Sequence, residues 1–277
     1  IEWGTTPAQR SVFGTLSDIS DRTQTAGLCA PAVIVVGQVV SMASVLHWFE
    51  DRPLFGQRIV ITRPEHQSAA MAERLTALGA DVLELPALRI EPPGDWTLVD
   101  QAINELERYG WLVFTSASGV SHFLGRVLGT GRDVRLLGGV RIAAIGAATA
   151  SELERFHLNA DLVPEEANSE SLVEAILATS PRRRLLLLRA DHGRETLPDG
   201  LRAAGIPFDE VTVYRTVEET NWDSAVLECI VRGEVDWITI TSPRTVQSLA
   251  AHLPDVAKIQ MCRRTKLASI SRLTSSA

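Results

Sequence analysis

The chain has 277 residues, 45% of them apolar and 22% charged, and a formal net charge of −7. These values suit a soluble globular protein of about two domains. They argue against a nucleic-acid partner, which needs a basic face, and no run of about 18 apolar residues exists to span a membrane.

Residues 1–52 have a character of their own. A helix is expected over residues 8–26, and Pro31-Ala-Val-Ile-Val-Val-Gly37 reads as a buried strand ending at a glycine. One helix and one strand bury too little surface to fold alone, so this segment packs on the rest of the chain or is the edge of something larger. From Gln57 strands and helices alternate. Residues 58–62 form a strand, 67–78 a helix stopped by Gly79, and 81–85 a strand, with a linker at Glu91-Pro-Pro-Gly94. A strand over 111–114 runs into Thr115-Ser116 and a helix over 118–128. A strand over 141–145 leads through Gly146 into a helix, in which Thr149 and Glu152 have capping-box spacing. Then come a helix over 169–178, a strand over 184–188, a helix over 197–204 closed by Gly205, and a strand over 208–214. A helix over 222–232, a strand over 237–240, a helix over 245–252 and a strand over 266–270 complete the series, while residues 259–266 fit no element. Buried strands alternating with helices predict parallel sheets covered on both faces.

The chain also repeats itself. Arg63-Pro-Glu-His recurs as Arg189-Ala-Asp-His, 126 residues on. The same spacing pairs Gly79 with Gly205, Arg89 with Arg215, Trp111 with Trp237 and Thr115-Ser116 with Thr241-Ser242. The period is too long for a solenoid of short units. The fold expected is therefore α/β, with two similar lobes of parallel sheet flanked by helices and joined by a two-stranded hinge. Lobe one is discontinuous, residues 53–91 and 215–277, and lobe two is 92–214. A cleft between lobes is a favoured ligand site.

Ligands of parallel sheets bind beyond the carboxyl ends of the strands, where the next helix offers free N–H groups to an anion. Thr115-Ser116 and Thr241-Ser242 occupy such places, although they serve equally as plain N-caps. Pro243 suits a first helical turn. Arg63, Arg89, Arg189 and Arg215 lie at strand ends and can grip carboxylates in a fork, or belong to a solvated rim or an inter-lobe salt bridge. His66 and His192 match between the copies but belong to no metal motif. Tyr214, one of two tyrosines, lies on a lobe crossing. Its phenol can donate a proton, or the residue is an amphipathic hinge. Cys29, Cys229 and Cys262 make neither a disulfide framework nor a zinc site, and with no secretory leader they predict reduced thiols in a cytoplasmic protein. No phosphate loop, nucleophile elbow or dinucleotide fingerprint is present.

Ile59-Val-Ile-Thr-Arg-Pro64, Val113-Phe-Thr-Ser116, Ala144-Ile-Gly146 with Thr149, Val211-Thr-Val-Tyr-Arg-Thr216 and Ile240-Thr-Ser-Pro243, taken in order, resemble the uroporphyrinogen-III synthase family. The resemblance implies a cofactor-free lyase that takes hydroxymethylbilane, removes water, inverts the terminal ring and closes the type III macrocycle. It makes Tyr214 the proton donor. Thr115, Ser116, Thr149, Ser242 and Thr274, with Arg63 and Arg189, hold substrate carboxylates. Ser271 stands where the repeat has Gly146, and the chain ends before the last helix, strand and helix of that family. Residues 1–52, with Glu2-Trp-Gly-Thr-Thr-Pro-Ala-Gln-Arg10, resemble the end of uroporphyrinogen-III C-methyltransferase, in which Gly4 matches a position that contacts S-adenosylmethionine. The rest of that methyltransferase is then the expected covalent partner, and no methyl transfer is expected from the remnant. Two other readings stay open: a bilobal binder of a small anion without catalysis, and an inactive fragment whose open sheet edge makes it aggregate.

Overall fold

The protein's structure is a computed structural model that describes residues 1–270 and 272–276, leaving aside the side chains of His66, Arg272 and Leu273. Ser271, expected opposite Gly146 in the repeat, lies outside the described residues. In chain order the elements are α1 (Ile19–Thr25), β1 (Arg58–Ile61), α2 (Glu65–Ala77), β2 (Asp81–Glu84), β3 (Leu88–Glu91), α3 (Thr97–Asn104), β4 (Tyr109–Phe114) and α4 (Ala117–Gly129). They continue with β5 (Arg141–Ala144), α5 (Ala147–Glu154), α6 (Ser169–Ala178), β6 (Arg184–Ala190), α7 (Thr196–Ala203), β7 (Phe208–Glu218) and α8 (Ser224–Arg232). The last are β8 (Trp237–Ile240), α9 (Pro243–His252), α10 (Asp255–Arg264), β9 (Lys266–Ser269) and α11 (Arg272–Ser275). Short 3₁₀ turns connect some of them.

The chain forms two compact units, Ile1–Arg89 with Glu218–Ala277, and Ile90–Val217. The first holds a four-stranded sheet ordered β2-β1-β8-β9, parallel throughout. The five-stranded sheet runs β3-β7-β6-β4-β5, with β7, β6, β4 and β5 parallel. The internal repeat is visible in this order. It pairs β1 with β6, β2 with β7, β4 with β8 and β5 with β9, so the order β2-β1-β8-β9 and the order β7-β6-β4-β5 are the same arrangement built twice.

In the second unit the leucine run of β6 is buried completely on both faces, as a covered parallel sheet requires. Leu186 and Leu188 join Leu112 and Phe114 in a cluster under α3, α4 and α5. Leu185 and Leu187 join Trp111 and Val113 in another under α6 and α7. In the first unit Val60, Ile238 and Ile240 meet Val226 and Ile230 of α8, Leu249 of α9 and Ala257 of α10. Gly79 and Gly205 close α2 and α7 at φ 97° and 69°, a conformation that side-chain-bearing residues avoid.

Several expectations are corrected. The helix foreseen over 8–26 is only Ile19–Thr25, because the Asp18 carboxylate captures the Thr15 N–H and hydroxyl and holds a turn there. Residues 31–37 form no strand. Ala32 makes one bridge to Glu2, and the Val33 N–H donates to the Ile1 carbonyl, but the pairing goes no further and Ile34 is 85% exposed. An extended run needs paired backbone and a covered face to persist. Elsewhere in residues 1–52, Glu50 accepts from Gln9 and Ser11, and buried Phe49 lies edge-on to Phe55. Helix α3 replaces part of the stretch left without an element after the linker, and its Val99, Ala102 and Ile103 bury with helical spacing. Helix α10 covers most of the stretch that fitted no element, and its one buried residue, Ala257, explains the lack of signal.

The two tyrosines differ in consequence. Burial, then a hydrogen bond to Asp209, pushes the Tyr109 phenol up to about 12. A raised folded value means that its contribution to stability is complete below the ordinary tyrosine value of about 10 and is lost as pH climbs through the folded one. Urea unfolding followed between about pH 9 and 12 is expected to show this loss, and Tyr109→Phe to flatten it. An unchanged slope in the variant would refute the assignment.

Candidate active site

In the second unit four strands deliver polar groups to one edge of the sheet. Phe114 is level with Ala144 and Leu188, and Ala190 with Tyr214, so Thr115, Ile145 and Asp191 lie just beyond the carboxyl ends of β4, β5 and β6, while β7 runs on past Tyr214 to Glu218. Thr115 donates to the Leu188 carbonyl at 3.3 Å. Ser116 is extended and caps α4, its Oγ accepting from the Gly119 N–H at 3.0 Å. The same Oγ shares a 3.0 Å hydrogen bond with the Tyr214 hydroxyl. The cap reading is thus correct for Ser116, and the hydroxyl also serves a second partner. Tyr214 is 8% exposed. Burial holds its phenol above the ordinary value, the Ser116 hydrogen bond opposes this, and the Asp191 charge adds to it.

Thr149 lies one strand over and is 3% exposed. Its expected capping box with Glu152 is absent. Gly146 is the N-cap of α5, and the Thr149 N–H donates to the Gly146 carbonyl. A side chain at Gly146 would not fit, since a Cβ would come within 2.6 Å of the Ala167 Cβ. Glu152 instead accepts from Ser121 and pairs with Arg155.

Arg189 is not an open grip. Its side chain is 5% exposed, with Nη2 donating to Glu195 at 3.2 Å. Its Nη1 sits 3.1 Å from Glu210 yet makes no aligned hydrogen bond, so that contact is ionic rather than directional. Gly193 presses on the guanidinium, 2.4 Å from where its Cβ would be. A bound carboxylate must displace one of the two glutamates. His192 is exposed beside Asp191. Arg89 pairs with Glu219 and Arg215 with Glu91, each pair lying within one unit and not between lobes as the salt-bridge alternative expected.

In the first unit Ser242 caps α9, accepting from the Thr245 N–H at 3.2 Å, with Pro243 in the first turn. Arg63 follows the neighbouring strand β1, half-buried and donating to Gln67. Thr274 is buried on α11, beyond β9. Gly4 lies in an exposed turn near the start, its carbonyl accepting from the Thr5 hydroxyl.

Two groups beside Tyr214 escaped the sequence reading. The His122 ring lies 5.6 Å from the tyrosine ring at 34°, and its Nδ1 is 2.8 Å from the Ser118 carbonyl, which makes Nδ1 a donor there. Its position six residues after the cap was the one available signal. Asp191, part of the repeated motif, accepts from the Thr216 N–H. Among the described residues no cluster of three His, Cys, Asp or Glu side chains is placed to hold a metal, and no helix is long and apolar enough to cross a membrane.

Comparison with known proteins agrees with this arrangement. A crystal structure of a mutant uroporphyrinogen III synthase from Thermus thermophilus superposes with a TM-score of 0.53 at 21% identity, over 79% of this chain and 87% of that one. It supports the fold. A uroporphyrinogen-III synthase of Synechococcus elongatus is 32% identical over 202 residues, 72% of this chain and 75% of the relative. The porphyrin biosynthesis protein HemD of Ruminiclostridium josui is 31% identical over 257 residues, 92% of this chain but 51% of the relative, so the chain spans about half that protein's length. The family model described as uroporphyrinogen-III synthase HemD matches residues 69–277. Ordered motifs, a sheet arrangement built twice and a match over most of the length lead to one assignment: the chain belongs to the uroporphyrinogen-III synthase HemD family.

Proposed function

We propose that the chain is a uroporphyrinogen-III synthase, a lyase that closes hydroxymethylbilane with loss of water and inversion of the terminal ring. The observation that carries this reading, in a chain of this family, is the Tyr214 phenol hydrogen-bonded to the N-cap Ser116 at the carboxyl edge of a parallel sheet. Tyr214 donates the proton with which the terminal hydroxyl departs as water. The ring carbon that forms the new bond later releases a proton, so the phenol is restored and the reaction balances without a cofactor. The bilane is reactive and can close unaided to the wrong isomer. The protein's main task is therefore to fix geometry and keep water away. Thr115, Ser116 and Thr149 of the second unit hold carboxylates. Arg189 joins them when Glu195, its more exposed partner at 61%, swings aside.

Residues 1–52 are, in this reading, the closing segment of a methyltransferase. The 257-residue match to the longer Ruminiclostridium josui relative necessarily reaches into them, whereas the synthase model starts at residue 69. Gly4 then contacts S-adenosylmethionine only when the rest of that domain is present. One experiment addresses both claims. Fresh hydroxymethylbilane is supplied with and without S-adenosylmethionine, and the porphyrins are separated after oxidation. Type III product, unmethylated in both arms, is expected. An isomer ratio equal to that of the protein-free control would overturn the synthase reading.

A further inference from the structure

We infer that Asp191 is a positioning residue for Tyr214, holding a bulge in β7 that aims the phenol at Ser116. The inference rests on the reading of Tyr214 as proton donor. Along the β6–β7 ladder Arg189 opposes Thr212, but the next residue, Ala190, opposes Tyr214. Val213 is skipped. Such a bulge turns side chains away from the regular alternation and needs something to hold it. Asp191 supplies the hold, through backbone and side chain together. Its own N–H donates to the Tyr214 carbonyl at 3.1 Å. Its Oδ1 accepts from the Thr216 N–H at 3.1 Å and the His192 N–H at 3.0 Å. Tyr214 and Thr216, which follow the skipped Val213, are thereby tied to one short loop. That loop is fixed from below, where Gly193 lies against the buried Arg189 guanidinium.

The charges around the phenol can be assigned. From α4, the Tyr214 ring meets His122 and the hydroxyl meets Ser116. From the loop after β6 comes Asp191, itself 3.6 Å from the exposed His192. Arg189 is taken up by Glu195 and Glu210, and Arg215, next along β7, by Glu91. Asp191 is thus the carboxylate whose charge reaches the phenol, and it acts to keep it protonated.

The test uses the full chain carrying Tyr109→Phe, which leaves Tyr214 as the single tyrosine, so phenolate absorbance reports it alone. Asp191→Asn keeps an acceptor for the Thr216 N–H and drops the charge, whereas Asp191→Ala removes both. Asp191→Asn is expected to ionise the phenol at lower pH than its parent and to carry the alkaline limb of kcat with it, while kcat at neutral pH stays near the parent's. Asp191→Ala is expected to lose kcat by roughly 10- to 100-fold with little change in KM, the effect of a misplaced group. An unmoved phenol midpoint in both variants overturns the inference, and so does a parental kcat in Asp191→Ala. The absorbance titration needs no substrate. If Tyr214→Phe proved fully active, the proton-donor reading would fail on its own, and the titration would still decide whether Asp191 governs the phenol.

Discussion

Replacing Tyr214 with phenylalanine is expected to slow formation of the type III isomer by roughly 10²- to 10⁴-fold, the span of a single positioned acid or base. The change is confined to one oxygen. The ring keeps its place beside His122 and its part in the buried cluster with Val213, Leu188 and Phe114. Ser116 keeps the Gly119 N–H that makes it a cap. One neutral hydrogen bond is lost, worth about 0.5–1.5 kcal/mol, so the melting transition survives. Because burial holds the phenol above its ordinary value, Tyr214 retains its proton through neutral and mildly alkaline pH. Single-turnover measurement of isomer III with fresh bilane gives the rate, and native-like kinetics from the variant would remove Tyr214 from the chemistry.

The second large effect is on stability. Phe114 is fully buried and meets Phe123 edge-on, ring centres 5.9 Å apart. It ends the strand that delivers Thr115 and Ser116, and its carbonyl accepts from the Ile145 N–H across to the neighbouring strand end. Phe114→Ala removes most of a ring from a packed core and leaves a cavity that its neighbours fill only in part. About 3–5 kcal/mol is expected from such a truncation, a large share of the roughly 5–15 kcal/mol that holds a domain folded. Urea unfolding should show a lower midpoint. Activity should fall with the folded fraction rather than through the chemistry. Ile34→Ala, at a residue 85% exposed, is the control and should stay within about 0.5 kcal/mol. A loss below about 1 kcal/mol for Phe114→Ala would show that the α4 face tolerates repacking in a way its close contacts deny.

Much of the scaffold was legible from residue types. The leucine run of β6 reads as a strand buried on both faces. Gly79 and Gly205 read as helix stops because their conformation excludes other residues, and Ser116 and Ser242 read as caps because a hydroxyl there satisfies a free N–H. The apolar stretch 31–36 misled for the opposite reason. Its composition suits a strand, but a strand exists only if another part of the chain pairs along it, and here the pairing stops at Val33. Helix α10 failed to register because its buried face is a single alanine. Arg189 stayed open between a carboxylate grip and a rim or salt-bridge residue, because nothing local announces that Gly193 will lie against it or that Glu195 and Glu210 will pair with it.

Residue types and spacing sufficed for the duplicated α/β plan and for the placing of hydroxyls at strand ends. These follow from local preference and from the periodicity of apolar residues, which every copy of the unit carries. The tertiary structure alone decided which polar groups meet. Ser116 and Tyr214 are 98 residues apart. Their contact depends on the parallel register of β4, β6 and β7, on one skipped residue in β7, and on a carboxylate that pins it. No short window of sequence contains those three conditions, because each is a long-range pairing whose geometry exists only once the sheet has closed.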